Sequence, residues 1–357
     1  MELAALVAAA MAGLAGGLGA GWHAGRRWGR EEGKALGALE LHRRALRNGR
    51  CPICGARGGG AVREPGLSVV KMHGLGNAYV YVDLAAGDVA LPEGVTWPSL
   101  ARAVADPHLG IGSDGLILMA RGRAAPAAMR IFNADGSEGE MCGNGIRAVA
   151  MWMHQRHGLP RHFDVETLAG LRSVEILESP SFGRARVRVD MGAPHEVGPA
   201  GSALGDSVSL EVRGERLEVW PISVGNPHAV LFVEDVDRAP VREVGPLIER
   251  HERFPGRVNV EFVQVVEPGR LKMRVWERGS GETMACGTGA CACVVAAAAT
   301  GRAGRRAEVE LPGGRLEVEW DEPDPGHPLG RIRMTGPARL VMEATLPWDW
   351  VKEASAR

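Results

Sequence analysis

The chain has 357 residues, of which 45% are hydrophobic, so it is long enough for two domains and cannot be a wholly disordered protein. Its 42 basic and 43 acidic residues leave a formal net charge of −1, which gives no indication of nucleic acid or another extended anionic surface as a partner. A small molecule is the expected partner. The 6 cysteines are too few and too unevenly spaced for a disulfide framework, so we expect reduced thiols in the cytoplasm.

The N-terminal extension, residues 1–66, begins with an uncharged stretch over 3–22, which is followed by Arg26 and Arg27. This stretch is long enough to span a bilayer, and the positive-inside rule would then place the rest of the chain in the cytoplasm. Because it consists mostly of Ala and Gly, the alternative is a loosely ordered extension or a misassigned start. Two interpretations therefore stay open: a tether to the cytoplasmic face of the membrane, or no membrane contact.

Cys51 and Cys54 form a CxxC pair that resembles half of a zinc site. The extension has no second pair, so a complete site would need His42 or another protomer. We prefer an isolated CxxC, and we predict no metal site, with Cys51 and Cys54 as the only weak candidates. The Gly-rich residues 56–66 are expected to form a linker.

Two similar segments stand out in the rest of the chain, MCGNGIR at 141–147 and ACGTGAC at 285–291. In each, a cysteine (Cys142 or Cys286) precedes Gly-x-Gly and a run that predicts a helix. The free N–H groups and the positive dipole end at a helix N-terminus lower the pKa of a cysteine and can hold an anion. The segments therefore predict a matched pair of reactive thiols, one of which waits as thiolate and the other as thiol.

Short β-type runs surround both predicted helices. We predict strands at 68–71, 79–82, 115–119, 129–132, 163–166, 184–191, 207–212, 216–219, 229–233, 258–266 and 271–277. The helix over 290–300 has no polar face and should be buried on all sides. Hairpins at Gly313–Gly314 and at Gly336–Pro337 are expected to close the fold.

The order of motifs suggests two matched halves that face each other across a cleft. His73–Asn77 precedes Cys142 at nearly the same distance along the chain as Val224–His228 precedes Cys286. Two thiols on opposite sides of a carbon acid can act as base and acid in turn. We expect the substrate carboxylate between the helix N-termini, held by the N–H groups of these residues: Gly143, Asn144, Gly287 and Thr288.

The remaining reactive side chains are interpreted as structural. His228 precedes a strand and is expected to be a hydrogen-bonded structural residue rather than a group that tunes a thiol. Cys291 and Cys293 lie on the buried helix and should pack in the core. The sequence contains no glycine-rich dinucleotide or P-loop motif and no lysine in an aldimine setting, so we expect no organic cofactor.

Several motifs together resemble the diaminopimelate epimerase family from about Leu67 to Thr345: MHGLGN, GIGSDGL, IFNADGSEGEMCGNGIR, VGNPHAV, RVNVEFVQV and ERGSGETMACGTGAC. The resemblance implies an α/β (α+β) fold with two pseudo-symmetric halves, each a strand barrel or sheet around a central helix, and a final strand that returns to the first half. The implied division is 1–66 as extension, 67–186 with about 332–345 as first half, 187–331 as second half, and 346–357 as tail.

The resemblance also implies an activity and roles for single residues. The family's enzymes are cofactor-independent isomerases that interconvert LL- and meso-diaminopimelate in lysine and peptidoglycan precursor synthesis, and a homodimer is implied. Cys142 and Cys286 would be the acid and base. Arg278 would bind the distal carboxylate and Glu277 an amino group. Four asparagines would bind other polar groups of the substrate: Asn77, Asn133, Asn226 and Asn259.

Two alternatives to this function stay open. The first is a racemase or epimerase of another amino acid, of the proline or hydroxyproline type, with the same fold and thiol pair. The second is a membrane-tethered metal or redox module built on Cys51 and Cys54, which the retained thiols and substrate set argue against. Ala78 and Tyr79 stand where the family usually has Asp-Phe, and Ala148 replaces a frequent cysteine; these departures are expected to affect packing more than chemistry.

Overall fold

The computed structural model describes residues 66–196 and 203–356, and the fold below is that of the unit Gly66–Arg357. The predictions for the membrane stretch at 3–22, for Cys51 and Cys54, and for the linker lie outside the described residues. Among the described residues, no helix combines the length and the apolar character that crossing a membrane requires.

The first half consists of short strands with two helices between them. Its strands are β1 (Gly66–Gly74), β2 (Asn77–Asp83), β3 (Gly115–Ala120), β4 (Ala127–Asn133), β5 (Glu138–Gly139), β6 (His162–Thr167), β7 (Gly170–Ser181) and β8 (Arg184–Gly192). Its helices are α1 (Trp97–Ala105) and α2 (Gly143–His157).

The second half follows the same plan. Its strands are β9 (His195–Glu196), β10 (Val208–Val212), β11 (Glu215–Ser223), β12 (Pro227–Phe232), β13 (Asn259–Glu267), β14 (Arg270–Glu277), β15 (Gly281–Thr283), β16 (Arg306–Leu311), β17 (Gly314–Trp320) and β18 (Ile332–Pro347). Its helices are α3 (Val241–Glu249), α4 (Gly287–Ala299) and the terminal α5 (Trp348–Ser355), and a short 3-10 helix covers Val236–Arg238.

The strand pairings of the two halves match one for one. In the first half, β1 to β2 is antiparallel, β2 to β3 parallel, β3 to β4 antiparallel, β4 to β6 parallel, and β6 to β7 to β8 antiparallel. In the second half, the series from β11 through β12, β13, β14, β16 and β17 to β18 has the same directions in the same order. The predicted pseudo-symmetric fold is therefore confirmed.

Strand β18 belongs to both halves. It pairs with β17 of the second half and also lies between β8 and β1, which closes the first half into a barrel. In return, β9, which follows β8, pairs with β11 of the second half. The boundary predicted after residue 186 falls inside β8, and the division of the chain at residues 186 and 331 stays a prediction.

Each half surrounds a buried helix. Residues 143–153 of α2 and 287–297 of α4 are all buried. In the first barrel, alternate side chains of β1 and β2, such as Met72 and Tyr81, face α2, whereas Val69 and Val80 pack outward under α1 and α5. The burial of α4 on all sides is confirmed, and it follows from a sequence with no polar face.

The sequence predictions were wrong or incomplete at a few elements. Gly336 and Pro337 do not form a hairpin; they lie within β18 and pair with Val187 and Arg186. Glycine is required there because a Cβ atom on Gly336 would lie 2.4 Å from the side chain of Leu316. The sequence analysis did not predict β7, α1, α3 or α5, and the C-terminal tail forms α5, whose Val351 is fully buried.

Candidate active site

Cys142 is the N-cap residue of α2. Its backbone is extended, with φ −129° and ψ 117°, and its Sγ accepts a hydrogen bond from the N–H of Gly145 at 3.3 Å. The thiol lies 3.7 Å from the Oδ1 of Asn77, to which its S–H donates. The sulfur therefore occupies the position in which Ser or Asp usually caps a helix.

Cys286 caps α4 in the same way. Its φ is −120° and its ψ 112°, and its Sγ accepts from the N–H of Gly289 at 3.4 Å. The hydroxyl of Thr288 lies 3.5 Å from the sulfur. The prediction that both thiols stand at helix N-termini is confirmed in geometry.

The two helix N-termini meet at the first residues after the thiols. A Cβ atom on Gly143 would lie 3.7 Å from the Cα of Gly287, and one on Gly287 would lie 3.6 Å from the Cα of Gly143. The thioether of Met334, on the shared strand β18, packs against both glycines. The two positive helix ends are thus brought together between the halves.

The thiols do not have the lowered pKa that the sequence analysis predicted. Burial raises the pKa of Cys142, and the negative charge of Glu277 raises it further, although the N–H of Gly145 opposes both effects. Burial also raises the pKa of Cys286 well above its ordinary value, with added contributions from the charges of Glu277 and Glu261. Loss of hydration outweighs the helix termini, so both thiols are protonated near neutral pH when the site is empty.

Asn77 and Asn144 connect the two thiol segments by hydrogen bonds. The Nδ2 of Asn144 donates to the Oδ1 of Asn77 at 3.2 Å and to the carbonyl of Ala285, the residue before Cys286, at 3.1 Å. The Nδ2 of Asn77 donates to the carboxylate of Asp114 at 3.0 Å, which also accepts from the N–H of Ala78. Asp114 was quoted in a motif but given no role by the sequence analysis.

Glu277 ends β14 and faces both thiols. Burial raises the pKa of its carboxyl to about 7, although hydrogen bonds from Thr283 and Cys286 lower it. Its charge acts on Cys142 and on Cys286 alike. Because its pKa is near neutral, this carboxyl changes charge close to neutral pH.

Asn259 and Arg278 lie beside Glu277 at the same edge of the second sheet. The Oδ1 of Asn259 accepts from the backbone N–H of Arg278 at 2.8 Å, which fixes the chain just after Glu277. The guanidinium of Arg278 is exposed and donates to the carbonyl of Gly256 at 3.1 Å. Its remaining N–H groups face outward and are suited to a carboxylate.

His228 is the fully buried centre of a hydrogen-bond chain, and its predicted role as a structural residue rather than one that tunes a thiol stays a prediction. Its Nδ1 lies 2.7 Å from Glu261 and its Nε2 lies 3.0 Å from the Oδ1 of Asn226. Donor atoms of His228, Glu261 and Cys286 lie within 4.8 Å of one another, a spacing that a metal ion can bridge. Both ring nitrogens already have partners, so the cluster is arranged as a hydrogen-bonded pair beside a thiol.

The remaining predicted residues are Asn133, Cys291 and Cys293. Asn133 ends β4, as Glu277 ends β14, and its Nδ2 donates to the hydroxyl of Ser137 at 3.0 Å. Cys291 and Cys293 are fully buried on α4, which agrees with a core role. The structure therefore brings Asn77, Asn144, Thr288 and Glu277 to the two thiols, whereas the contacts of Asn133 and Arg278 described above are with Ser137 and Gly256.

Two residues near Cys142 were misjudged or missed by the sequence analysis: Tyr79 was expected to affect packing more than chemistry, and Arg147 was given no role. The hydroxyl of the buried Tyr79 hydrogen-bonds the sulfur of Cys142 and lowers the pKa of that thiol, against the larger effect of burial. Arg147, in the first turns of α2, is fully buried. Its place in the repeated segment, opposite Cys291 in the other copy, was the available signal.

Comparison with solved structures defines the class of protein first. A hydroxyproline epimerase from Agrobacterium vitis superposes with a TM-score of 0.58 at 16% identity, over 78% of this chain and 92% of that chain. At this identity the likeness concerns the fold alone: a two-half α+β fold in which each half surrounds one helix.

Sequence comparison then identifies the family. The family model for diaminopimelate epimerase matches residues 69–197 and 221–341. The diaminopimelate epimerase of Geobacillus kaustophilus is 49% identical over 286 residues, which cover 77% of this chain and 94% of that protein. That of Moorella thermoacetica is 50% identical over 295 residues, 79% of this chain and 100% of that protein. The chain belongs to the diaminopimelate epimerase family, as its motifs predicted.

Proposed function

We propose that this protein interconverts LL- and meso-diaminopimelate, in lysine and peptidoglycan precursor synthesis, by a two-base reaction that needs no organic cofactor. The family membership supports the substrate. The observation that carries the mechanism is the pair of thiols, each capping a buried helix, whose N-termini meet at Gly143 and Gly287.

The two thiols exchange roles during one turnover. One sulfur, as thiolate, takes the proton from the α-carbon, and the thiol on the opposite side gives its proton to the carbanion. The C–H bond broken on one side is replaced by a C–H bond on the other, and the thiolate and thiol have changed places. Because burial raises the pKa of both thiols, one proton must leave the site before the first transfer.

The reacting carboxylate binds where the two helix N-termini meet. The N–H groups of Gly143, Asn144, Gly287 and Thr288 precede the first intrahelical hydrogen bonds of α2 and α4 and are available to an anion. Negative charge that grows on the carboxylate during proton removal is stabilised by the same groups. This arrangement lowers the barrier for a carbon acid that is weakly acidic in water.

The distal end of the substrate is bound at the edge of β13 and β14. Arg278 pairs with the distal carboxylate, and Asn259 fixes the backbone that carries it. Glu277 binds an amino group close to the reacting centre. The remaining asparagines complete the polar contacts: Asn77, Asn133 and Asn226.

Hydrogen exchange in D2O tests the reaction directly. Purified protein incubated with LL-diaminopimelate in D2O, without added cofactor, should place deuterium at the α-carbon and form the meso isomer, both followed by NMR. The same protein inactivated by iodoacetamide is the control. If fresh protein shows no exchange while a family enzyme assayed in parallel does, the proposed reaction is refuted.

An amino-acid racemase of the proline or hydroxyproline type is the second candidate, because such an enzyme shares the fold. Proline has a single carboxylate, so it would leave Arg278 without a partner. Arg278→Leu therefore separates the two: it should raise KM for diaminopimelate at least tenfold, about the value of a charged hydrogen bond. Faster exchange on proline than on diaminopimelate in the wild type would favour the second candidate.

We also propose a cytoplasmic homodimer, with or without a tether through residues 3–22. The few, unevenly spaced cysteines support the compartment, and the uncharged stretch before Arg26 supports the tether. The dimer is what the resemblance in the motifs implies. Light scattering of the purified protein measures its oligomeric state, and a monomeric mass would contradict the homodimer. Membrane fractionation of the full chain and of a variant that begins at Gly66 tests the tether, which requires that only the full chain is found with the membrane.

A further inference from the structure

Arg147 is an arginine with no exposed surface, in the second turn of α2. It donates to the carbonyls of Gly143 at 3.0 Å and Pro337 at 3.2 Å, and to the Oδ1 of Asn144 at 2.8 Å. Its remaining polar contact is the sulfur of Met334 at 3.6 Å. Among the described residues no carboxylate forms an ion pair with it, so its positive charge has only dipoles around it.

Burying a cation without a negatively charged partner lowers the stability of a protein, yet the fold leaves space for the guanidinium of Arg147. A Cβ atom on Gly74 would lie 2.6 Å from the guanidinium, and one on Gly336 would lie 3.1 Å from it. The equivalent position in the second thiol segment is Cys291, which is uncharged when protonated. The cation therefore distinguishes the Cys142 side of the site from the Cys286 side.

The hydrogen bonds of Arg147 fix which atoms donate and which accept in the series of hydrogen bonds that ends at Cys142. A guanidinium can only donate, so the Oδ1 of Asn144 must face it and the Nδ2 must face Asn77. The Oδ1 of Asn77 then accepts, and it is this atom that the S–H of Cys142 reaches. Through the carbonyl of Ala285, the same amide of Asn144 also holds the residue before Cys286.

We propose that Arg147 is a positioning residue, which orients Asn144 and Asn77 toward Cys142 and supplies a fixed positive charge that favours the thiolate of Cys142 over that of Cys286. The negative charge that appears at Cys142 during turnover compensates the guanidinium. This explains why a buried cation without an acid partner is retained next to a helix N-terminus that already attracts anions. The proposal rests on the proposed role of Cys142 as base or acid.

Other charged and titratable groups act on Cys142, on Asn77 or on Arg147. Glu277 raises the pKa of this thiol and Tyr79 lowers it, both less than burial raises it. Asp114 bonds Asn77, and Tyr81 lies close enough to Arg147 to interact with its charge. Burial lowers the pKa of Arg147 itself to about 10, so the group stays largely charged up to about pH 9.

The test measures the reactivity of each thiol against pH without requiring turnover. Wild type, Arg147→Lys, Arg147→Gln and Arg147→Met are alkylated with iodoacetamide between about pH 6 and about pH 9, where the arginine stays charged and the rate of alkylation follows the thiolate fraction. Peptide mass spectrometry then reports Cys142 and Cys286 separately in each sample. Circular dichroism confirms that each variant is folded, and kcat and KM for diaminopimelate are measured in parallel.

We expect the Gln and Met variants to shift the alkylation of Cys142 to higher pH and that of Cys286 much less, and to lower kcat about tenfold or more with little change in KM. Arg147→Lys, which keeps the charge, should stay near the wild-type profile. If Met fails to fold, the comparison of Lys with Gln decides. The proposal would be overturned if the Lys and Gln variants had equal alkylation profiles, or if the shift were equal at Cys142 and Cys286. If the expected shifts are seen but the wild type is inactive on diaminopimelate, only the proposed reaction is refuted.

Discussion

Cys142 and Cys286 have nearly the same backbone geometry but different neighbours. Each sulfur accepts one N–H from the second glycine of its motif. Asn77 and Tyr79 contact Cys142, whereas Thr288 and the pair of His228 and Glu261 lie beside Cys286. The two groups are therefore equivalent in position and unequal in acidity, which suits a pair that must interconvert two different isomers.

Each of the two thiols should be necessary for turnover. Cys142→Ala and Cys286→Ala each remove one of the two proton carriers, so we expect a loss of epimerisation of at least about 10³-fold, measured as meso isomer formed per second. Cys293→Ala is the matched control, because Cys293 is buried on α4 and contacts Met273 outside the site. Full activity of either of the first two variants would rule out the two-base reaction.

Glu277 should make stability depend on pH. Its pKa rises from 4.5 to about 7 on folding, so the protonated form is favoured in the folded state. The stability that this provides is complete below pH 4.5 and is lost as the pH rises toward 7. Glu277→Gln does not ionise and keeps the hydrogen bond with Thr283, so above pH 7 it should be more stable than wild type by up to about 3 kcal/mol.

Urea unfolding at pH 5 and pH 8 measures this difference, with Glu282→Gln as the control of opposite sign. Burial raises the pKa of Glu282, but hydrogen bonds from Arg242 and Arg274 lower it below its ordinary value overall. Its contribution to stability is present above the unfolded pKa of 4.5 and is lost only in stronger acid, so Glu282→Gln should lower stability by nearly the same amount at pH 5 and pH 8. A constant gap between Glu277→Gln and wild type at both pH values would contradict the raised pKa.

The sequence was sufficient to find the two thiols but not to predict the direction in which their pKa values shift. The repeated motif was enough to find Cys142 and Cys286, because a Cys-Gly-x-Gly start places sulfur at a helix N-terminus by local geometry alone. The direction of their pKa shifts depends on burial in the folded protein and on the charge of Glu277, which is far from Cys142 along the chain, and was predicted with the wrong sign. Arg147 was missed because an arginine in a helical run usually faces water.

At the scale of elements, strands with continuous or alternating apolar residues were predicted, whereas β7, most of whose residues are exposed or half-buried, was not. The ends of β3, β4 and β14 were found to within a few residues. Helix α3 was missed because Gly245 and Pro246 break its pattern, and Gly245 is required by the close approach of Trp276, 2.6 Å from an added Cβ. Gly336–Pro337 was taken for a turn because the glycine is required by tertiary contacts, with Leu316 first and Arg147 second, which the local sequence does not show.

The second glycine of each thiol motif should be irreplaceable for a packing reason. A Cβ atom on Gly145 would lie 2.5 Å from Ile117 and 3.6 Å from the sulfur of Cys142. Gly145→Ala should therefore displace the start of α2, cost about 1–3 kcal/mol and lower kcat. Gly269→Ala, at a turn where an added Cβ has no neighbour within 4 Å, is the control and should change neither quantity. Wild-type kcat in Gly145→Ala would show that the helix start tolerates the shift.

The whole molecule should unfold in one step although it has two halves. Strand β18 completes the first barrel and pairs with β17, and β9 pairs with β11, so neither half keeps all its strand partners without the other. For residues 66–357 we expect a single calorimetric transition whose measured enthalpy equals the van't Hoff enthalpy. Two separable transitions, each accompanied by exposure of only one of the thiols, would show that the halves are independent.

The matching order of strand pairings is the order that duplication of one gene would produce. Two copies of one gene, fused end to end, would give the same series of parallel and antiparallel neighbours twice, and the exchange of β9 and β18 is the arrangement expected of two subunits that swap strands. In such a symmetric dimer the two sulfurs would be identical. A single chain is free of this constraint, and a difference on one side alone, Arg147 against Cys291, can make one thiol differ from the other.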